Sequence, residues 1–126
     1  MILIMFSCKK EKETGCATPA DSRLVGVWLK DSSIEYGIKY RTPYVPGVSV
    51  QSGMEIKQTV WQNKQRQTNG SIINQGAGFP IQLKCDGIWF DESPNKAAYT
   101  YVVSSDSTIE LTSTTNGILT YYSRVK

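Results

Sequence analysis

Residue patterns with the two-residue period of a β-strand near the C-terminus constrain the fold of this chain more than any other feature. The alternation runs through residues 97–104, 107–113 and 118–125, and in the second stretch Ile109 and Leu111 share one face. Ser-Ser-Asp precedes that stretch and Thr-Asn-Gly follows it, and both are turn sequences. The sequence therefore predicts three consecutive antiparallel strands.

Shorter runs upstream, separated by Gly, Pro, Asn-Gly and Asp-Gly, predict further strands. Pro43, Pro46 and Gly47 mark a loop or a sheet edge. A single helical turn is expected around residues 20–23, and no longer segment shows the period of a helix. Eight or nine short strands predict an all-β domain, either a β-sandwich or a closed barrel. The upstream strands are expected at residues 25–30, 35–41, 53–61, 71–74, 80–85 and 87–91.

Two short motifs favour the barrel. Gly26 and Trp28 form a Gly-x-Trp sequence on the first expected strand, and Arg124 lies near the end of the last. This combination resembles the lipocalin and calycin family, in particular lipocalin-like lipoproteins of Bacteroidetes. The resemblance implies a small antiparallel up-and-down barrel of about eight strands, in which Trp28 plugs the closed end under Arg124 and Gly26 permits close packing. In the alternative β-sandwich, Trp28 is an ordinary core residue and Arg124 a surface charge.

The N-terminus switches from apolar to charged residues within two positions. Residues 1–6 are apolar, Ser7 and Cys8 follow, and a Lys/Glu run comes next. The arrangement resembles the end of a bacterial lipoprotein signal peptide, in which the cysteine is acylated, although Met5 replaces the usual Leu. We therefore interpret residues 1–8 as the C-terminal part of such a peptide, with Cys8 lipidated and the true start codon upstream. The alternative is an N-terminal β-strand with Cys8 as a buried thiol.

Residues 9–22 are polar and lack apolar periodicity, so they are expected to be a tether between the lipid and a barrel domain at 23–126. Charged residues directly after the cysteine are similar to those of outer-membrane lipoproteins of Bacteroidetes. The resemblance implies an outer-membrane lipid anchor, with the domain either periplasmic or on the cell surface. No stretch approaches the ~20 apolar residues of a membrane-spanning helix.

The chain holds three cysteines, an odd number for an exported protein. If Cys8 carries lipid, Cys16 and Cys85 remain as a candidate disulfide in an oxidising compartment. Two free thiols are the alternative, because sequence alone does not establish disulfide geometry.

Composition lowers the expectation of several function classes. Histidine is absent, which removes the commonest general base and zinc ligand, so we expect no enzyme activity, metal site or cofactor. The 14 Lys and Arg against 11 Asp and Glu are scattered along the chain. A nucleic-acid partner is not expected, because such proteins carry a concentrated basic face.

The mouth of a barrel is the expected place for binding chemistry. Four aromatic residues are candidates for this role, although strand aromatics more often pack in the core. The first hypothesis is a membrane-anchored protein that binds a small apolar or amphipathic ligand. The alternative is a non-catalytic module with a filled interior and a protein or glycan partner. The candidate ligand-binding residues are Trp61, Trp89, Tyr99 and Tyr101.

A third hypothesis is a carboxylate-based glycoside hydrolase using Asp86, Asp91 and Glu92 around Trp89. Acidic residues in such a segment are more often a solvated turn, so this hypothesis ranks last.

Overall fold

The computed structural model describes residues 22–41, 43–84, 86–93 and 95–125. A 3-10 turn at Ser22–Leu24 leads into the first strand, and ten strands account for the rest of the regular structure in these ranges. The strands are β1 Gly26–Glu35, β2 Ile38–Arg41, β3 Gln51–Ile56, β4 Val60–Arg66, β5 Ile72–Asn74, β6 Phe79–Lys84, β7 Gly87–Phe90, β8 Tyr99–Ser105, β9 Thr108–Ser113 and β10 Leu119–Arg124.

Eight strands close into an antiparallel barrel in the order β1-β3-β4-β6-β7-β8-β9-β10. The last strand returns to the first, with register partners that run from Leu119 and Ile34 at one end to Arg124 and Trp28 at the other. Closure removes the free edges that a sandwich would leave. The prediction of a small all-β up-and-down barrel is therefore confirmed, and the sandwich is excluded.

The remaining two strands extend the barrel wall at one end. The β2 strand pairs with the second half of β1, at Ser32–Glu35. The β5 strand pairs with the end of β4, at Lys64–Arg66. We call them the β2 flap and the β5 flap, because each pairs with one edge of a barrel strand beyond the part of that edge that pairs with the next strand of the wall.

Side chains of alternate residues fill the barrel interior, as a pleated sheet requires. Trp28, Ile56, Ile88 and Ile109 are fully buried there. The predicted partition of β9, with Ile109 and Leu111 on one face, is confirmed because both belong to this core. The other core residues are Leu24, Met54, Trp61, Ile81 and Leu83.

The predicted three-strand meander is confirmed as β8, β9 and β10. Two upstream predictions are wrong in detail. The single strand expected at 53–61 is broken between β3 and β4 by a turn that the Lys57 N–H closes on the Val60 carbonyl. The strand expected at 35–41 is divided by a turn at Tyr36 and Gly37, where both residues adopt positive φ.

Several sequence predictions fall outside the described residues. These are the lipidated Cys8, the tether up to residue 21 and both members of the candidate Cys16–Cys85 pair. In the part of the chain that is described, no helix has the length and apolar character needed to span a bilayer.

Candidate binding site

The two ends of the barrel differ, and the turn at Ser22–Leu24 and the last strand define the first. Trp28 is fully buried beside the N-terminal turn, where its Nε1 donates a hydrogen bond to the Leu24 carbonyl at 2.9 Å. The Arg124 guanidinium carbon lies 4.3 Å from the centre of the Trp28 ring. This end of the barrel is therefore closed by an indole beneath a guanidinium.

Arg124 also ties together the backbone segments around the plug. Its Nη1 donates to the Val25 carbonyl at 2.7 Å, its Nη2 to the Arg23 carbonyl at 2.8 Å, and its Nε to the Asp106 carbonyl at 2.8 Å. One side chain thus fixes the N-terminal turn, the turn between β8 and β9, and the last strand.

Gly26 leaves room for this arrangement. Its φ is +151°, and a Cβ at this position would overlap Arg124 Nη1. A larger residue would both strain the backbone and displace the guanidinium. The closed end therefore has a structural role in which Gly26, Trp28 and Arg124 depend on one another.

An aromatic cluster lies toward the opposite, open end. Phe79 begins β6, Phe90 ends β7 and Tyr99 begins β8, and their rings surround Trp61 of β4. Trp61 stacks on Tyr99 with ring centres 5.5 Å apart and on Phe79 at 6.1 Å. Phe90 meets these rings edge-on, with its centre 6.1 Å from that of Trp61. Trp61 is 5% exposed and the other three side chains are partly exposed. The cluster therefore forms part of the floor of the open end.

Two tyrosines of this interior are held in the neutral form. Burial raises the pKa of the Tyr99 hydroxyl. Burial raises the pKa of Tyr122 further, and the neighbouring Tyr99 adds to the effect. Both hydroxyl groups therefore stay protonated to a higher pH than that of an exposed tyrosine.

Above this floor, the inner faces of the strands become polar. The inner face of β4 continues from Trp61 to Asn63 and Gln65, and the Trp61 Nε1 donates to Asn63 Oδ1 at 2.9 Å. Thr120 follows Tyr122 on the inner face of β10 and pairs with Ser33 of β1. Asn63 is exposed although its side chain faces inward, so the barrel is open to solvent at this level.

The inner faces of the two flaps are apolar and exposed. Tyr40 pairs with Ser33, and Ile38 pairs with Glu35, so both extend the inner surface of β1. Ile73 pairs with Gln65 and extends that of β4. Ile38 is 56% exposed, Tyr40 48% and Ile73 46%. The open end is therefore a cup with an aromatic floor, a polar wall and apolar flaps above part of its rim.

The four candidate aromatic residues are not all brought together. Trp61 and Tyr99 stack in the floor, and Tyr101 faces inward nearer the closed end, where its hydroxyl donates to the Lys84 carbonyl at 3.0 Å. Trp89 lies on the outer face of β7. Its Nε1 donates to Asp86 Oδ1 at 3.1 Å, and the Lys84 ammonium lies 4.4 Å from the ring centre.

The carboxylates of the hydrolase hypothesis do not form a facing pair across the barrel. Asp86 and Asp91 flank opposite ends of β7, so their backbones are separated by about 16 Å at the rise of a β-strand. Glycoside hydrolases hold their two carboxyl groups ~5–9.5 Å apart. Asp91 accepts a hydrogen bond from Gln82 Nε2 at 3.3 Å, and Glu92 is exposed in the adjoining turn.

Within the described ranges, no cluster of three or more His, Cys, Asp or Glu side chains is placed to hold a metal ion. Comparison of the chain with protein-family models, curated proteins and solved structures found no match.

Sequence reasoning missed much of the cup. Asn63 and Gln65 were not assigned to a strand because their segment is polar on both faces. Phe79 and Phe90 were placed in or beside expected strands, but nothing in their local sequence indicates that they meet Trp61. The sequence did contain one signal of the cup. Along the inner face of a strand, an apolar residue is followed two positions later by a polar one, as in Trp61 and Asn63.

Proposed function

We propose that this chain is a membrane-anchored lipoprotein whose lipocalin-like barrel binds a small apolar or amphipathic ligand, without catalysis, at the open end. The observation that carries the proposal is the exposure of Ile38, Tyr40 and Ile73 on the inner faces of the flaps. Exposed apolar residues around a concave polar opening are typical of a binding surface.

The filled lower half limits the size of the ligand. Met54 and Leu111 are each 1% exposed, and together with the aromatic cluster they occupy the barrel below the cup. A ligand therefore occupies the cup and the space between the flaps, not the length of the barrel. Burying the flap residues would contribute about 25 cal/mol for each Å² of apolar surface removed from water.

A titration of the 126-residue chain tests this proposal. We expect saturable changes in tryptophan fluorescence with medium-chain fatty acids, alcohols or retinoid-like compounds, because Trp61 lies in the floor. Ser52 is exposed on the inner face of β3, so Ser52→Phe should narrow the cup and weaken binding. Ser104 is exposed on the outer face of β8, which makes Ser104→Phe the matched control. A flat response across the panel would contradict the proposal.

The lipid anchor has its own support in the apolar run, Ser7 and Cys8, and in the charged residues that follow. We expect palmitate to be incorporated when the chain is expressed in a Gram-negative host, and Cys8→Ser to abolish the labelling. Cys16→Ser is the control and should label normally. Equal labelling of the Cys8→Ser protein would remove the anchor from the proposal.

A second candidate function is a protein- or glycan-interaction module. The loop between β2 and β3 favours it, because Val45, Val48 and Val50 are 45%, 76% and 45% exposed on the outside of the barrel. This candidate predicts crosslinking to a specific partner that Val48→Asp abolishes while ligand titrations stay flat.

A further inference from the structure

The position of Lys30 bears on which ligands suit the cup. Lys30 follows Trp28 by two residues and pairs with Tyr122, so its side chain starts on the inner face of β1. A bulge at Asp31 interrupts the alternation, which returns Ser33 to the inner face. Lys30 therefore lies at the boundary between the apolar lower barrel and the polar wall, and it is partly buried.

Among the described residues, no carboxylate forms an ion pair with Lys30. Asp31, its neighbour, accepts a hydrogen bond from Ser123 on the outer face. Glu35 accepts one from Ser33 at 3.0 Å and stands about 13–16 Å further along β1 at the rise of a strand. The ion pair between Lys64 and Glu55, 3.4 Å long, lies on the outer surface.

A lysine side chain that starts on the inner wall and makes no ion pair with the described residues would give an anionic group in the cup an electrostatic partner. The apolar surfaces available to the rest of the ligand lie above Lys30, on the flap residues Ile38, Tyr40 and Ile73. Together, these two features define the orientation of the bound ligand. Its charged group lies deep in the cup near Lys30, and its apolar part lies between the flaps.

We propose that the ligand of the cup is an amphipathic anion, with a carboxylate or phosphate group held by Lys30 and an apolar tail held by the flaps. This inference rests on the proposed binding function and specifies its ligand class. The rim carboxylate Glu35 adds to the preference for a deep anionic head, because it disfavours negative charge near the opening.

Four compounds that each contain a ten-carbon chain show which head group the cup prefers: decanoate, decyl phosphate, decanol and decyltrimethylammonium. Binding to the 126-residue chain is followed by tryptophan fluorescence, with each compound kept below its critical micelle concentration. We expect at least one of the two anions to bind about tenfold more tightly than decanol, which corresponds to ~1.4 kcal/mol. Preference for decanoate indicates a fatty acid, whereas preference for decyl phosphate indicates a phospholipid-type head group.

Two variants and one control assign the effect to the ammonium group. Lys30→Met should reduce the affinity for the anions to about that for decanol, whereas Lys30→Arg should retain the preference for anions. Lys39 is exposed on the outer face of the β2 flap, so Lys39→Met should change neither affinity. Two results would overturn the inference but leave the proposed binding function standing. In the first, the Lys30→Met protein still prefers anions. In the second, decanol or the cationic compound binds the unmodified chain as tightly as the anions do. Failure of all four compounds to bind the unmodified chain overturns both.

Discussion

The closed and open ends of the barrel are built from the same strands but use their inner faces differently. At the closed end, three backbone carbonyls accept hydrogen bonds from Arg124, which lies on a fully buried indole. At the open end, Asn63 faces inward and is still exposed to solvent. The inner face of β4 changes from Trp61 to Asn63, and that of β10 changes from Tyr122 to Thr120, within one step of the alternation. We infer from this difference that the closed end stabilises the fold, whereas the proposed binding function lies at the open end. The substitutions below test that separation.

The largest effect on the free energy of unfolding is expected for Trp28, which plugs the closed end of the barrel. Trp28→Ala should lower the free energy of unfolding by about 3–5 kcal/mol, because a fully buried indole leaves a cavity and Arg124 loses its ring partner. Trp89→Ala, on the outer face, is the control and should cost clearly less. Urea unfolding measures both, and equal losses would contradict the assignment of the plug.

Gly26→Ala tests the fit around the guanidinium. We expect a loss of about 2–4 kcal/mol, since the new Cβ overlaps Arg124 and the backbone is strained. Gly76 has φ +73° and open space around its Cβ position, so Gly76→Ala reports strain alone and should cost ~1–2 kcal/mol. Equal losses in thermal or urea unfolding would show that Arg124 is not displaced.

Alkaline pH should weaken the fold through the buried hydroxyl group of Tyr122. Because the folded-state pKa of Tyr122 is raised above its ordinary value of 10.0, the native state retains a proton that the unfolded chain loses. The stabilisation is complete below about pH 10 and is lost as the pH rises beyond it. Tyr122→Phe should flatten this decline in urea unfolding, whereas Tyr121→Phe, on the outer face, should not. An unchanged slope for Tyr122→Phe would show that the buried Tyr122 hydroxyl does not cause the decline.

The smallest effect on stability is expected in the polar wall. Gln65→Ala should change the free energy of unfolding by no more than ~0.5 kcal/mol, because its side chain is in contact with solvent at the open end. The same variant should weaken ligand binding severalfold. Gln82→Ala on the outer face is the matched control and should alter neither quantity. A large loss of stability for Gln65→Ala would mean that the wall is part of the core.

The sequence predicted the parts of the fold that repeat a local pattern. The segments of β8, β9 and β10 have the period of a strand and are separated by turn sequences, so their positions followed directly, as did the buried face of β9. Only the first two residues of β4 were predicted to lie in a strand, because Trp61 alone marks its inner face before the residues become polar. The division of β1 from β2 depends on Tyr36 adopting a positive φ, which no propensity indicates.

The candidate site was less predictable than the fold, for a physical reason. Trp61 and Tyr99 were named from their residue type, but their stacking with Phe79 and Phe90 depends on how strands distant in sequence are staggered around the barrel. Trp89 has the same residue type and lies on the outer face, because it alternates with the core residues Ile88 and Phe90. Residue type selects candidates, whereas the register decides which of them face the cup.

The three tryptophans of the chain provide the most direct test, because each reports on one region. Trp28 lies at the closed end, Trp61 in the floor of the cup and Trp89 on the outer face. A proton–nitrogen correlation spectrum resolves their indole N–H signals during a titration with decanoate. We expect the Trp61 signal to shift saturably while those of Trp28 and Trp89 remain in place. A shift confined to Trp89, or no shift at any of the three, would contradict ligand binding at the open end.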